Sequence, residues 1–219
     1  MLGYRSWATV ALEKVKAHKK ISKYEIVHTH EKLMKFDLDD WDLLISLGWS
    51  DELGEDVTNQ IFCIGLHCAE LDRYSYGSPI QLQVIDGLTK STHRIFPFLS
   101  DKTSKRAHTH SREYSHEIEF SLEGGIEDIF LELTRTSIIL LDQFLSDYPE
   151  IQWKQWPIES IVRPKREPID SKINKQDLQN MSTMDLYNLI RCLQDPYPNA
   201  YIEDEVGTIF FENVSFIKK

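Results

Sequence analysis

Two apolar runs in this chain end on residues that can do chemistry. Residues 61–67, IFCIGLH, place His67 at the end of a stretch that reads as a buried strand, and residues 42–48, DLLISLG, lead into Gly48-Trp49-Ser50. In an open α/β sheet, ligands bind beyond the carboxyl ends of the strands. A histidine there can act as a general acid or base, or donate a hydrogen bond to a developing oxyanion. A structural histidine held by its neighbours fits the same position. Trp49, Tyr74 and Tyr76 are of a type that stacks on a nucleobase or pterin, or else anchors a half-buried loop. His108 and His110 stand two residues apart, with His116, Glu113 and Glu117 nearby, and in a strand both imidazoles would face one side. That spacing is looser than a metal signature, so we assign no metal and read the tract at 100–115 as a polar, basic loop. No GxGxxG or Walker A sequence marks a phosphate loop, and no GxSxG marks a nucleophile elbow.

These residues need elements to hold them. Apolar spacing predicts a helix over 6–19, a short strand over 24–29, buried strands over 42–48 and 61–67, and a short helix between those two. A helix follows at 79–86, opened by Pro79, then strands at 92–98 and 116–122 and a long amphipathic helix at 126–146. Alternation of buried strands with helices predicts an α/β, Rossmann-like domain with a mainly parallel sheet and flanking helices over 1–162. The charged stretch at 163–174, with two prolines, reads as a linker. Residues 175–219 read as a small C-terminal unit with a helix at 184–193 and a β-hairpin turning near Val206-Gly207. Its aromatic residues Phe210, Phe211 and Phe216 suit packing, and a homodimer is one way to cover them.

Composition narrows the partners. The chain has 219 residues and a net charge of −10, which disfavours a polyanion such as tRNA, because a phosphate backbone is held by clustered Lys and Arg. A small nucleotide-bearing ligand needs only one or two local cations. No run of about 18 apolar residues would span a membrane. Cys63, Cys68 and Cys192 are odd in number, and the N-terminal stretch lacks the pattern of an export signal, so a cytoplasmic protein with free thiols is expected.

Residues 65–87, GLHCAELDRYSYGSPIQLQVIDG, resemble the formyltransferase family that uses 10-formyltetrahydrofolate. That family has Asn-x-His at a strand end, then a loop, a Gly and a Pro-Ile-Gln helix start. Here Leu66-His67, Gly77-Ser78-Pro79-Ile80-Gln81 and Gly87 supply the matching positions. DLLISLGWSDEL resembles the strand and loop lining the family's folate pocket. LYNLIRCLQDPYPNAYI, residues 186–202, resembles the C-terminal region of the sugar N-formyltransferases. The resemblance implies formyl transfer from 10-formyltetrahydrofolate to the amine of a nucleotide-linked amino sugar used in surface polysaccharides. It implies His67, with Asp101 or His108, as catalytic groups, Gly48, Trp49 and Ser50 at the folate, and Tyr74, Tyr76 and Ser78 at the sugar substrate. Two departures stand out. The family Asn falls on Gly65. The full first strand of the family is represented by Met1-Leu2 ahead of Gly3, for which a shortened sheet, a late start codon or a truncated chain each accounts. A binding protein of the same fold without catalysis, or a different transfer or hydrolysis using the His108/His110 loop, remain alternatives.

Overall fold

The strand at Leu44–Ser46 and the strand at Cys63–His67 bury side chains on both faces, as their unbroken apolar sequences require. Leu44 and Cys63 pack on one side with Leu2, Val27 and Val57, while Ile45 and Ile64 pack on the other with Leu12, Leu140 and Phe144. In the computed structural model, the described residues are 1–50, 53–74, 77–98, 113–156 and 163–218.

In chain order, Leu2 is followed by α1 (Ser6–Val15), α2 (His30–Leu33), β1 (Leu44–Ser46), α3 (Glu55–Thr58) and β2 (Cys63–His67). Then come α4 (Leu71–Tyr74), α5 (Pro79–Ile85), β3 (Lys90–Pro97), β4 (Glu113–Tyr114), β5 (Glu117–Ser121) and α6 (Ile126–Asp147). The chain closes with β6 (Lys154–Gln155), α7 (Lys175–Asn180), α8 (Thr183–Arg191), β7 (Ala200–Glu203) and β8 (Thr208–Phe211). Among the described residues, no helix is long and apolar enough to cross a membrane.

The main sheet has the order β1-β2-β3-β5 and is mixed. β1 and β2 are parallel, whereas β2-β3 and β3-β5 are antiparallel, so the parallel character expected from the alternation of elements is confined to one half. α5 leads into β3 without carrying the chain back to the far end of the sheet, and an antiparallel neighbour results. The parallel half is extended by a one-residue rung. Leu2, fully buried, bridges in parallel to both Ser46 and Val27. Its N–H donates to Ile45 O at 2.7 Å and its carbonyl accepts from Leu47 N–H at 2.9 Å. The position of the family's first strand is thus occupied by a single fully bonded residue, and of the strand expected over 24–29 only Val27 pairs.

α1 and α6 cover one face of the sheet. A second core joins α5, β5 and α6 to α8, with Leu189, Ile190 and Leu193 against Ile126, Ile129 and Leu133. Ile173, within the stretch read as a linker, belongs to the same core and is 1% exposed. Arg191 ties the elements together: its guanidinium, 5% exposed as a residue, donates to the carbonyls of Leu122 and Gly124 and to Asn188 Oδ1. The hairpin of β7 and β8 forms where expected, with Ile209 and Phe210 exposed on it. Cys63 and Cys192 are buried and all three cysteines are free thiols.

Candidate functional site

His67 is the last residue of β2, and the chain beyond it is fixed by α5. The Cys68 carbonyl accepts from Gln83 Nε2 and from Ser91 Oγ, each at 3.0 Å, and Gln83 itself is 1% exposed. α5 begins at Pro79, whose missing N–H costs nothing in a first turn. Ser78 precedes it in the left-handed region at φ 55°, a conformation non-glycine residues seldom take. Gly48 turns the chain after β1 at φ 61°, and a Cβ there would lie 2.8 Å from the Ala8 methyl. Glycine is therefore required both for the turn and for the approach of α1.

These turns open onto one cavity of about 480 Å³ across the strand ends. Of the residues singled out in the sequence, Gly48, Trp49, Ser50, His67 and Ser78 line it. Tyr74 does not. It is 1% exposed, packed with Ala69 and Leu82, and its hydroxyl donates to Asp86 Oδ2 at 3.1 Å. Burial and the adjacent Asp86 carboxylate push its phenol up to about 12. The expectation of Tyr74 at a substrate is corrected accordingly: the single turn of α4 sends the ring inward. Tyr76, Asp101, His108 and His110 lie outside the described residues.

The cavity also takes residues that the sequence did not single out. Arg5 and Trp7 come from the start of α1, His93 from β3, Lys165 from the 163–174 stretch and Tyr197 from the turn after α8. His93 is 1% exposed, and its Nδ1 lies 2.9 Å from Thr136 Oγ1. Thr136 donates its own proton to Glu132 O, so the imidazole is the donor to the hydroxyl. Burial lowers the His93 pKa to about 3, so the ring is neutral with Nε2 as an acceptor. Trp7 and Trp49 each hold a buried indole N–H that has no hydrogen-bond partner among the described residues. Burial pushes the Cys68 thiol, beside His67, up to about 12, which makes it a poor nucleophile.

At Gly65 the surroundings are filled. Phe96 lies directly opposite in the antiparallel register, and a Cβ on Gly65 would sit 2.5 Å from Phe96 Cζ and 2.8 Å from Phe98 Cε2. The two rings, 5.1 Å apart at their centroids, occupy the space a side chain at position 65 would need. At the other rim, one carboxylate fastens two segments. Asp86 pairs with Arg73 at 3.4 Å and with Arg163 at 3.0 Å, and Arg163 N–H donates to Arg73 O at 2.7 Å. Gly77 and Lys165, a few residues along each segment, then meet at the cavity.

No protein-family model and no curated protein sequence matches this chain. Solved structures do. A methionyl-tRNA formyltransferase from Clostridium thermocellum superposes with a TM-score of 0.78 at 19% identity, covering 99% of this chain and 92% of that one. A sugar N-formyltransferase from a Shewanella species matches with a TM-score of 0.73 at 12% identity, over 100% of this chain and 97% of the other. HypX from Aquifex aeolicus in complex with tetrahydrofolic acid matches with a TM-score of 0.67 at 14% identity, over 92% of this chain and 35% of HypX. The chain therefore has the fold of the formyltransferases that its sequence resembles.

Proposed function

We propose that this protein transfers a formyl group from 10-formyltetrahydrofolate to the amine of a nucleotide-linked amino sugar, with His67 at the reacting carbon. The observation that carries the proposal is the position of His67: it ends β2 on the wall of a cavity bounded by Gly48-Trp49-Ser50 and by Ser78, on a formyltransferase fold. The neutral amine attacks the formyl carbon and a tetrahedral oxyanion forms. The C–N10 bond then breaks, the amine loses its proton and N10 gains one. His67 serves as oxyanion donor and proton relay in this scheme. Asp101 or His108, by the family resemblance, is the group proposed to orient it. Gly65 offers no side chain, and the indole N–H groups of Trp7 and Trp49, whose residues line the cavity, are themselves buried, so His67 is the side-chain donor on which this scheme relies.

The test is a formyl-transfer assay, following tetrahydrofolate release with a panel of nucleotide-linked amino sugars. Wild-type turnover with at least one sugar is expected, and His67→Ala should lower it by about 10²–10⁴-fold. Absence of turnover across the panel, or turnover indifferent to His67→Ala, refutes the proposal. The packing of Phe96 and Phe98 over Gly65 specifically favours a second reading, a protein of this fold that binds folate or a nucleotide sugar without reacting them. Calorimetric binding of either ligand with no turnover would select that reading.

A further inference from the structure

Three strands carry one row of ionisable side chains, and His67 stands at its end. In the antiparallel register His67 on β2 faces Arg94 on β3, and Arg94 faces Glu117 on β5. Directly opposed residues of antiparallel strands project from the same face, with Cβ atoms about 4.5–5.5 Å apart. Gly65 shows the arrangement two residues earlier, since the ring of its facing residue, Phe96, fills its side of the sheet. Arg94 does not line the cavity, so it can act on a ligand there only through a neighbour. Its Nε donates to Glu117 Oε2 at 2.8 Å, and its guanidinium stands 4.9 Å from the Trp156 ring centroid and 5.3 Å from that of Tyr114. The Tyr114 hydroxyl donates to the other Glu117 oxygen at 3.4 Å. A cation held between two rings and a carboxylate has little freedom to turn away. Its side chain is 15% exposed, so water screens it only in part.

We infer that Arg94 is a positioning residue for His67, its charge biasing the imidazole toward the neutral form that accepts and passes on a proton. The inference rests on the formyl-transfer reading for the use made of His67; the charge effect stands without it. A like charge nearby disfavours protonation of an imidazole. Glu117 opposes that effect, but it stands one strand further off, and strands lie about 4.8 Å apart. The nearer cation therefore outweighs it. The other groups around His67 among the described residues do not reverse the sign. Arg5 and Lys165 on the cavity wall add positive charge, no described Asp or Glu lines that wall, and Lys154 of β6 lies over the Tyr114 ring. Burial pushes the Cys68 thiol up to about 12, lowers the His93 imidazole to about 3 and raises the phenols of Tyr114 and Tyr197, so all four are uncharged at neutral pH.

The experiment follows the His67 imidazole of the full chain by NMR as pH is varied, its resonance identified by its absence in His67→Ala. Arg94→Gln is expected to raise the titration midpoint by about half to one pH unit. Arg94→Lys keeps the charge and should move it less. Glu117→Gln uncovers the cation and should lower the midpoint. Opposite shifts from two variants that break the same ion pair separate charge from packing, because a purely structural loss gives no reason for opposite signs. The acid limb of kcat/KM for formyl transfer should move with the midpoint in each variant. A midpoint that fails to rise in Arg94→Gln, or fails to fall in Glu117→Gln, overturns the inference. Should Arg94→Gln not fold, Glu117→Gln decides by itself: a lower midpoint upholds the role of Arg94, and an unmoved or higher one overturns it. The expected shifts without formyl transfer by the wild type overturn the formyl-transfer reading alone, whereas formyl transfer with unmoved midpoints overturns the role of Arg94 alone.

Discussion

Gly65 shows how one residue changes what its neighbours are for. In the family the position carries an amide; here two phenyl rings fill that room from the facing strand. Restoring the amide is therefore expected to fail. Gly65→Asn should lose about 1–3 kcal/mol of stability through overpacking, measured by denaturant unfolding, and Phe96→Leu in the same chain should recover part of that loss. His93 makes a second prediction. Its folded pKa, lowered by burial to about 3, lies below the ordinary 6.5. The unfolded chain binds a proton that the folded chain refuses, so this contribution is whole above about pH 6.5 and is lost as pH falls toward 3. Its slope cannot exceed about 1.4 kcal/mol per pH unit, the value for one proton. Unfolding free energies measured from pH 7 to 4 should fall less steeply in His93→Gln than in wild type. The place of His67 at a strand end on the cavity was legible because it closes an apolar run. Neither Arg5 nor the aromatic filling was, since each depends on residues brought together from separate parts of the chain.

Among the elements, those with a strong period were readable. The 22-residue α6 and the buried runs of β1 and β2 lie within a few residues of where their patterns placed them. The polarity of β3 was not readable, because alternation of side chains is the same in either strand direction. Nor was the rung at Leu2, because one residue has no period. The C-terminal elements give the prediction at this scale. Arg191 satisfies two carbonyls between β5 and α6 from within α8. Arg191→Met should cost about 1–3 kcal/mol, the penalty for stranding buried acceptors. Because α8 shares its core with α6, that loss should appear as a lower midpoint for one cooperative transition, followed by near-ultraviolet circular dichroism, and not as a separate melting of the hairpin.

For the whole molecule, net charge and local charge act on different partners. A chain at −10 disfavours a polyanion, while Arg5 and Lys165, lining the cavity without a lining Asp or Glu among the described residues, leave room for a small anionic ligand. Transfer RNA is expected to show no retention in filter binding at low salt, where nucleoside diphosphates bind measurably; nucleotide affinity should decline as salt rises. The acidity itself was plain in the composition. Its exception was hidden, because residues 5 and 165 acquire a shared meaning only when the chain is folded.

Asp86 gives the two sides of the cavity a common fate. Gly77 follows one of its arginines and Lys165 follows the other, so the loop beyond His67 and the stretch before α7 are fastened by one carboxyl group together with the Arg163 N–H to Arg73 O hydrogen bond. Removing that group frees two cations to repel each other across the seam it had closed. The backbone hydrogen bond between Arg163 and Arg73 would then hold the two walls alone against that repulsion.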